Sequence, residues 1–318
     1  MRVLADAGVS GASSGPAWRD LRVRLISAGV LAPLGVACLL NGGWIFTGLV
    51  LLAMVGIGVE WAGLTRSAPR SLPWLMLLAW PGACLLTMAR IDWLTGLRVL
   101  LGGFLLGPLR GGGVVLIGLG GAALIWLRGM TGAGAASLLF VVLVVWASDS
   151  LAYLVGRALG GAKLAPRISP GKTWSGAAGG LLGAMVAGAI VASFAPSSDA
   201  GPFERIARGL LFGGLLGIAA QVGDLAESAL KRRCGVKDSG RLIPGHGGLL
   251  DRLDGLFTAA PLAALLSLGC GYGQAFWQLD PLHLQPLDIG ARHMPTGWVE
   301  GMIASAANGQ DPARNKPE

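Results

Sequence analysis

Apolar runs long enough to cross a lipid bilayer recur along this chain, and that recurrence limits its fold more than any other feature. They cover roughly 22–40, 44–64, 72–89, 113–127, 134–155, 174–195, 206–223 and 249–269, with a ninth, shorter stretch at 97–107. A helix that spans a bilayer needs about 20 mostly apolar residues. The runs are continuous rather than alternating, which argues against a β-barrel. The expected fold is therefore an all-α, polytopic helical integral membrane protein with about nine transmembrane helices, eight being the alternative. Composition agrees: 13% of residues are charged, 53% are hydrophobic and the mean hydropathy is +0.64, whereas soluble domains carry about 25% charged residues.

The runs divide the chain into four parts. Residues 1–21 read as a flexible amino-terminal tail without a signal-peptide core. Residues 22–133 form a first set of transmembrane helices. Residues 134–270 form a second set that carries two basic loops, and 271–318 is a polar carboxy-terminal tail. Glycine makes up 53 of 318 residues, which in a membrane lets helices approach closely. The stretches Gly176–Gly188 and Gly209–Gly217 are expected to be tight helix–helix seams. Four cysteines show no CxxC or Cys/His spacing, so neither a zinc site nor a disulfide framework is expected.

Basic residues in short loops set orientation. With nine spans and the amino terminus inside, 17 of the 25 Lys and Arg residues face the cytoplasm. The inside set includes Arg66, Arg70, Arg110 and the loops 156–173 and 228–248. Each of those two loops carries a net charge of +4, and together they equal the +8 of the whole chain. Contact with anionic lipid headgroups would account for basic loops alone. It would not account for the ordered aspartates and the Gly-rich turn beside them.

On the approach to the second loop, Asp224, Glu227, Ser228 and Lys231 share one helix face at spacings i, i+3, i+4 and i+7. Glu227 and Lys231 can form a purely structural pair. Asp224 has no opposite charge one turn earlier and is favoured as a metal ligand, since a carboxylate near an apolar span is costly unless paired or metal-bound. Asp251 and Asp254 repeat the pattern on the next helix, with Arg252 between them. Hard cations such as Mg²⁺ take one or two carboxylates plus substrate phosphates. Between the helices, Pro244-Gly245-His246-Gly247-Gly248 offers backbone N–H groups to an anion, and His246 could donate to a phosphate or exchange a proton. The other loop reads KLAPRISPGKTWSG. Its GKT is not a Walker A motif, because Pro166 stands where the first glycine belongs. It leaves Ser169, Lys172 and Thr173 as a phosphate clamp of another kind.

The run from Ser228 to Asp254, SALKRRCGVKDSGRLIPGHGGLLDRLD, resembles the hallmark motif of the phosphatidate cytidylyltransferases, also called CDP-diacylglycerol synthases. Trp146–Arg157 (WASDSLAYLVGR) and Ile168–Trp174 (ISPGKTW) resemble other recurring segments of that family. The likeness is strong over roughly 140–260 and rests on hydropathy alone before that. One departure is Ser175, where the family often has Glu. The resemblance implies transfer of the cytidylyl group of CTP to phosphatidic acid, giving CDP-diacylglycerol and pyrophosphate for phospholipid synthesis. It also implies that Asp224 and Asp251 hold Mg²⁺, with a monovalent cation as a further candidate. The expected catalytic set is Asp224, Asp251, Lys231, Arg232, Lys237, His246 and Asp254. The expected substrate-binding set is Ser169, Lys172, Thr173, Ser228, Asp238, Arg241, Arg252 and Asp149, with Asp149 and Tyr153 bordering the lipid unless they only pack.

The expected partners are CTP, phosphatidic acid, the bilayer and a second copy of the chain as a homodimer, with no nucleic acid. The expected place is the bacterial inner membrane, with the active site on the cytoplasmic side. A secondary transporter is disfavoured, because its charges would lie near the midplane within repeated halves. A membrane kinase that uses CTP would release CDP instead of pyrophosphate, and a scaffold would not need the full acidic and basic set.

Overall fold

The computed structural model describes residues 15–129, 133–194, 201–240, 242–243, 247–268 and 275–278. Among them the chain forms nine α-helices: α1 (Gly15–Asn41), α2 (Gly43–Leu64), α3 (Leu72–Arg90), α4 (Trp93–Gly102), α5 (Pro108–Gly129), α6 (Gly134–Leu159), α7 (Trp174–Ser193), α8 (Pro202–Arg233) and α9 (Leu250–Ser267). Six of them are long and apolar enough to cross a membrane by length and composition: α2, α3, α5, α6, α7 and α8. The protein is a helical, polytopic integral membrane protein, as the apolar runs require. The short stretch expected at 97–107 is α4 followed by a 3-10 turn, Gly103–Leu106. Residues 15–21 belong to α1, while 1–14 and 279–318 lie outside the described residues.

Local chemistry sets several helix ends. Ser71 caps α3 by accepting from Trp74 N, and Asp92 caps α4 by accepting from Thr95 N at 2.8 Å. The long α8 begins at Pro202 with Glu204 in its first turn and ends on Lys231, Arg232 and Arg233. Both choices complement the helix dipole.

The stretch expected as loop 156–173 is more ordered than its composition suggests. Helix α6 runs on to Leu159, and the rest forms an antiparallel hairpin of β1 (Lys163–Ala165) and β2 (Ser169–Thr173), pairing Lys163 with Thr173 and Ala165 with Ser169. Pro166 occupies the turn that Ile168 N closes onto Ala165 O, a position its fixed φ suits.

Helices α6, α7 and α8 pack against one another, and α9 lies against α5 and α8. The α7–α8 seam needs glycine: a Cβ on Gly209 would sit 2.5 Å from Gly188 O, and one on Gly188 would sit 2.3 Å from Gly209 O. Both expected small-residue stretches thus serve as close seams. Phe140, Ile117, Leu216 and Phe257 fill the interior. At one end of the bundle, where α2 meets the start of α9, Trp61 Nε1 donates to Leu109 O and Arg110 Nε to Ser67 Oγ. At the other end Arg128 donates to the last carbonyls of α1, and Arg208 to Gln278 O.

Candidate active site

Three carboxylates converge where α8 meets α9. Asp224, Glu227 and Asp254 each offer an oxygen, and these oxygens lie within 4.8 Å of one another. Asp224 and Glu227 stand one turn apart on α8, and Asp254 stands in the second turn of α9. Close approach of the two helices is what joins them: a Cβ on Gly223 would meet Thr258 Oγ1 at 2.1 Å.

Three acids so close repel one another unless cations lie among them. Two lysines do so. Lys172, carried in by β2, places Nζ 2.5 Å from Asp224 Oδ2. Lys231 places Nζ 2.7 Å from Glu227 Oε2 and 2.8 Å from Asp251 Oδ1. Glu227 is nevertheless incompletely satisfied: its Oε1 is buried and has no hydrogen-bond partner among the described residues. A buried carboxylate oxygen without a donor is costly, and in this setting it suits a hard cation, whose ligands are oxygens. The residues present therefore fit a metal site.

Asp251 has other work. Its oxygens accept from Lys231 Nζ, from Ser239 N at 3.1 and 3.2 Å and from Gly248 N at 3.0 Å. It ties the segment after α8 to the first turn of α9. The pair expected from sequence, Asp224 with Asp251, is thus not the set whose oxygens converge in the structure. Asp251 and Asp254 share one face of α9 at i and i+3, and the rotation of α9 brings the oxygen of Asp254 to Asp224 and Glu227 while Asp251 meets Lys231 one turn earlier.

Asp149, in the second half of α6, faces the same space and interacts electrostatically with Asp224, Lys172 and Arg252. Arg252 itself is exposed in the first turn of α9. Tyr153 Oη accepts from Arg157 Nη1 at 2.8 Å. Of the clamp expected in the hairpin, only Lys172 reaches the acids. Thr173 caps α7 instead, accepting from Gly176 N at 3.1 Å, and Ser175 donates to Gly160 O. Ser169 is half-buried in β2. Arg232 donates through Nε to Ile168 O at 3.2 Å and so ties the hairpin to the end of α8. Ser228 is half-buried, and Lys237 and Asp238 are exposed beyond α8. Arg241 and His246 lie outside the described residues.

A cavity of about 450 Å³ opens beside the acids. Its walls are mostly apolar, with Trp61, Leu109, Leu116 and Leu230, and its polar lining includes Glu227 and Asp254.

Sequence reasoning missed Glu60. This acid of α2 is buried and accepts from Leu249 N, Leu250 N and Ser239 Oγ. The available signal was a lone carboxylate within the apolar run 44–64, where an unpartnered acid is rare. Glu227, read only as a possible partner for Lys231, is likewise a member of the acid cluster.

A profile described as the cytidylyltransferase family matches residues 22–268. The chain therefore belongs to the cytidylyltransferase family. Over 172 residues it is 47% identical to a phosphatidate cytidylyltransferase of Brucella abortus, covering 54% of this chain and 58% of that protein. Over 136 residues it is 40% identical to one of Pseudomonas aeruginosa, covering 43% and 49%. A more distant likeness, 31% over 252 residues, covers 79% of this chain and 93% of a phosphatidate cytidylyltransferase of Rickettsia felis. The chain thus spans about half the length of the Brucella and Pseudomonas proteins and nearly all of the Rickettsia one.

Proposed function

We propose that this protein transfers the cytidylyl group of CTP to phosphatidic acid, forming CDP-diacylglycerol and releasing pyrophosphate. The observation that carries this reading is the meeting of Asp224, Glu227 and Asp254 with Lys172 and Lys231 at one end of an apolar bundle. Family membership and relatives named for this reaction support it. In the reaction a phosphate oxygen of phosphatidate forms a bond to the α-phosphorus of CTP. The anhydride bond to the β-phosphate breaks, and its electron pair leaves with pyrophosphate. No enzyme nucleophile is needed.

Both reactants are polyanions, so the task of the protein is positioning and neutralisation. Asp224, Glu227 and Asp254 are the residues that would hold Mg²⁺, with Asp251 the alternative ligand on α9. A bound divalent cation would screen the phosphates and stabilise the leaving group. Lys172 and Lys231 supply positive charge beside those acids, and Lys172, the more exposed and held by a single carboxylate, is able to turn from carboxylate to phosphate. Arg232, Lys237 and Arg252, and with them Arg241 and His246, extend that charge outward to the nucleotide and headgroup; Ser169, Ser228 and Asp238 border the same region. Asp149 faces the site from α6. The apolar cavity beside Glu227 suits the glycerol and upper acyl part of a lipid.

The same reading places the protein in a bacterial inner membrane with the site on the cytoplasmic side, where CTP is made, and as a homodimer. The test is transfer of label from cytidine-labelled CTP into the lipid phase by purified protein in micelles with phosphatidic acid and Mg²⁺. Lipid-borne label lost on chelation supports the reading. Label released only as soluble CDP would identify a kinase instead.

A further inference from the structure

Glu60 lies on α2, far along the chain from the acids of the site, and is 4% exposed. Its Oε1 accepts from Leu249 N at 2.8 Å, and its Oε2 accepts from Leu250 N at 2.8 Å and Ser239 Oγ at 3.1 Å. Leu249 and Leu250 open α9, so their N–H groups are among those that no helical carbonyl can reach. The residue in the capping position, Leu249, has no side chain able to accept them. Glu60 supplies that acceptor from a different helix, at the end of the dipole that favours negative charge.

The chain also makes room for this carboxylate. A Cβ on Gly240 would fall 2.5 Å from Glu60 Oε1, and one on Gly248 would fall 2.9 Å from Oε2. All three groups that Glu60 engages belong to the segment 239–250, and Asp251 and Asp254 follow at once on the same rigid helix. Any shift of the first turn of α9 therefore moves both acids. Asp251 grips the same segment from within, through Ser239 N and Gly248 N, so two carboxylates on different helices fix one turn.

We propose that Glu60 is a positioning residue: it holds the first turn of α9 in the place from which Asp254 meets Asp224 and Glu227 around a divalent cation. The role in catalysis rests on the function proposed above; the placing of the metal ligands does not. An acid that served stability alone would change melting behaviour when replaced, without changing cation affinity in the folded protein.

The test uses the full-length chain in lipid–detergent micelles and the variant Glu60→Gln. The amide keeps the shape, but its NH₂ cannot accept, so at least one of the three donors loses its acceptor. Three readouts are taken: Mn²⁺ affinity without nucleotide, by electron paramagnetic resonance; hydrogen exchange over 247–256; and kcat with KM for CTP at saturating Mg²⁺. Outer-shell partners of metal ligands are worth about 10–100-fold in affinity or activity. Expected are Mn²⁺ binding weakened by about 10-fold or more, and faster exchange confined to the start of α9. The kcat should fall by a similar factor, with KM for CTP within about twofold. Ser239→Ala removes one donor only; it should shift the same readouts in the same direction by less, and it replaces Glu60→Gln if that variant does not accumulate. Mn²⁺ affinity and kcat both within about twofold of the parent would overturn the proposal, whatever happens to melting. If the parent moves no cytidylyl label into lipid while Glu60→Gln still weakens Mn²⁺ binding, the functional reading fails and the positioning role stands.

Discussion

Lys172 and Asp224 meet at 2.5 Å across the gap between the β-hairpin and α8. The lysine comes from a surface strand and the aspartate from the inner part of a long apolar helix. The contact joins the first basic segment of the chain to the acid cluster. It also makes Lys172 a competitor for any cation that Asp224 would bind.

That competition has a sign. Lys172→Met should tighten Mn²⁺ binding in the absence of nucleotide by a few-fold, because a nearby positive charge is removed. The same change should lower kcat by about 10-fold or more if the lysine turns to a phosphate during transfer. Calorimetric or resonance titration of Mn²⁺ alongside label transfer checks both; weaker Mn²⁺ binding in the variant would contradict the account.

The acid cluster and the sequence pattern make different predictions on α9. Asp254→Asn should weaken Mn²⁺ binding with little change in melting, because Asp254 stands in the convergent set. Asp251→Asn should mainly loosen the segment 239–250, seen as faster hydrogen exchange there, because its oxygens bind Lys231 and two backbone N–H groups. A loss of Mn²⁺ affinity in Asp251→Asn greater than in Glu60→Gln, which loosens the same turn, would return Asp251 to the ligand set. Asp224→Asn should abolish metal-dependent transfer altogether.

These two aspartates show where legibility stopped. Hydropathy alone located the helices, because a bilayer allows little else over such runs. The motif located both aspartates, at i and i+3 on one helix. Which of them turns toward Asp224 depends on the rotation of α9, and that rotation is set by contacts distant in sequence, including Phe257 in the core and Glu60 on α2. The hairpin was missed for a related reason: three- and five-residue strands in a basic stretch leave no clear alternation to read. Lys172 could be named as a phosphate contact, but its reach to Asp224 needed the hairpin to exist.

Lys231 stands between Glu227 and Asp251, and all three side chains are at most 13% exposed. Replacing the lysine by Met leaves two buried acids without their shared cation. Removing one partner of such a buried group costs about 3–5 kcal/mol, so Lys231→Met should lower the melting temperature strongly. Lys231→Met combined with Glu227→Gln should recover part of that loss. Thermal unfolding in detergent checks the pair, and a double variant no more stable than the single would argue against it.

The α7–α8 seam offers a sharper stability test. Gly209→Ala puts a methyl group 2.5 Å from the backbone oxygen of Gly188, a clash that forces the helices apart. Overpacking of this kind costs about 1–3 kcal/mol. Gly29→Ala, where no atom beyond the helix's own backbone and the neighbouring residues lies within 4 Å of the new methyl, should leave unfolding unchanged. Equal melting of the two variants would mean that the helices slide apart freely.

The pocket around Glu60 carries a consequence for how this chain can vary over time. Gly240 and Gly248 are not interchangeable spacers; each leaves the volume that a carboxylate from another helix fills. A chain in which either glycine grows must shorten or lose the acid at position 60, and a chain that loses the acid is free to fill the space. The three positions, almost two hundred residues apart at their extremes, should therefore change as one unit, so that the amino-terminal helices and the charged motif are inherited together or not at all.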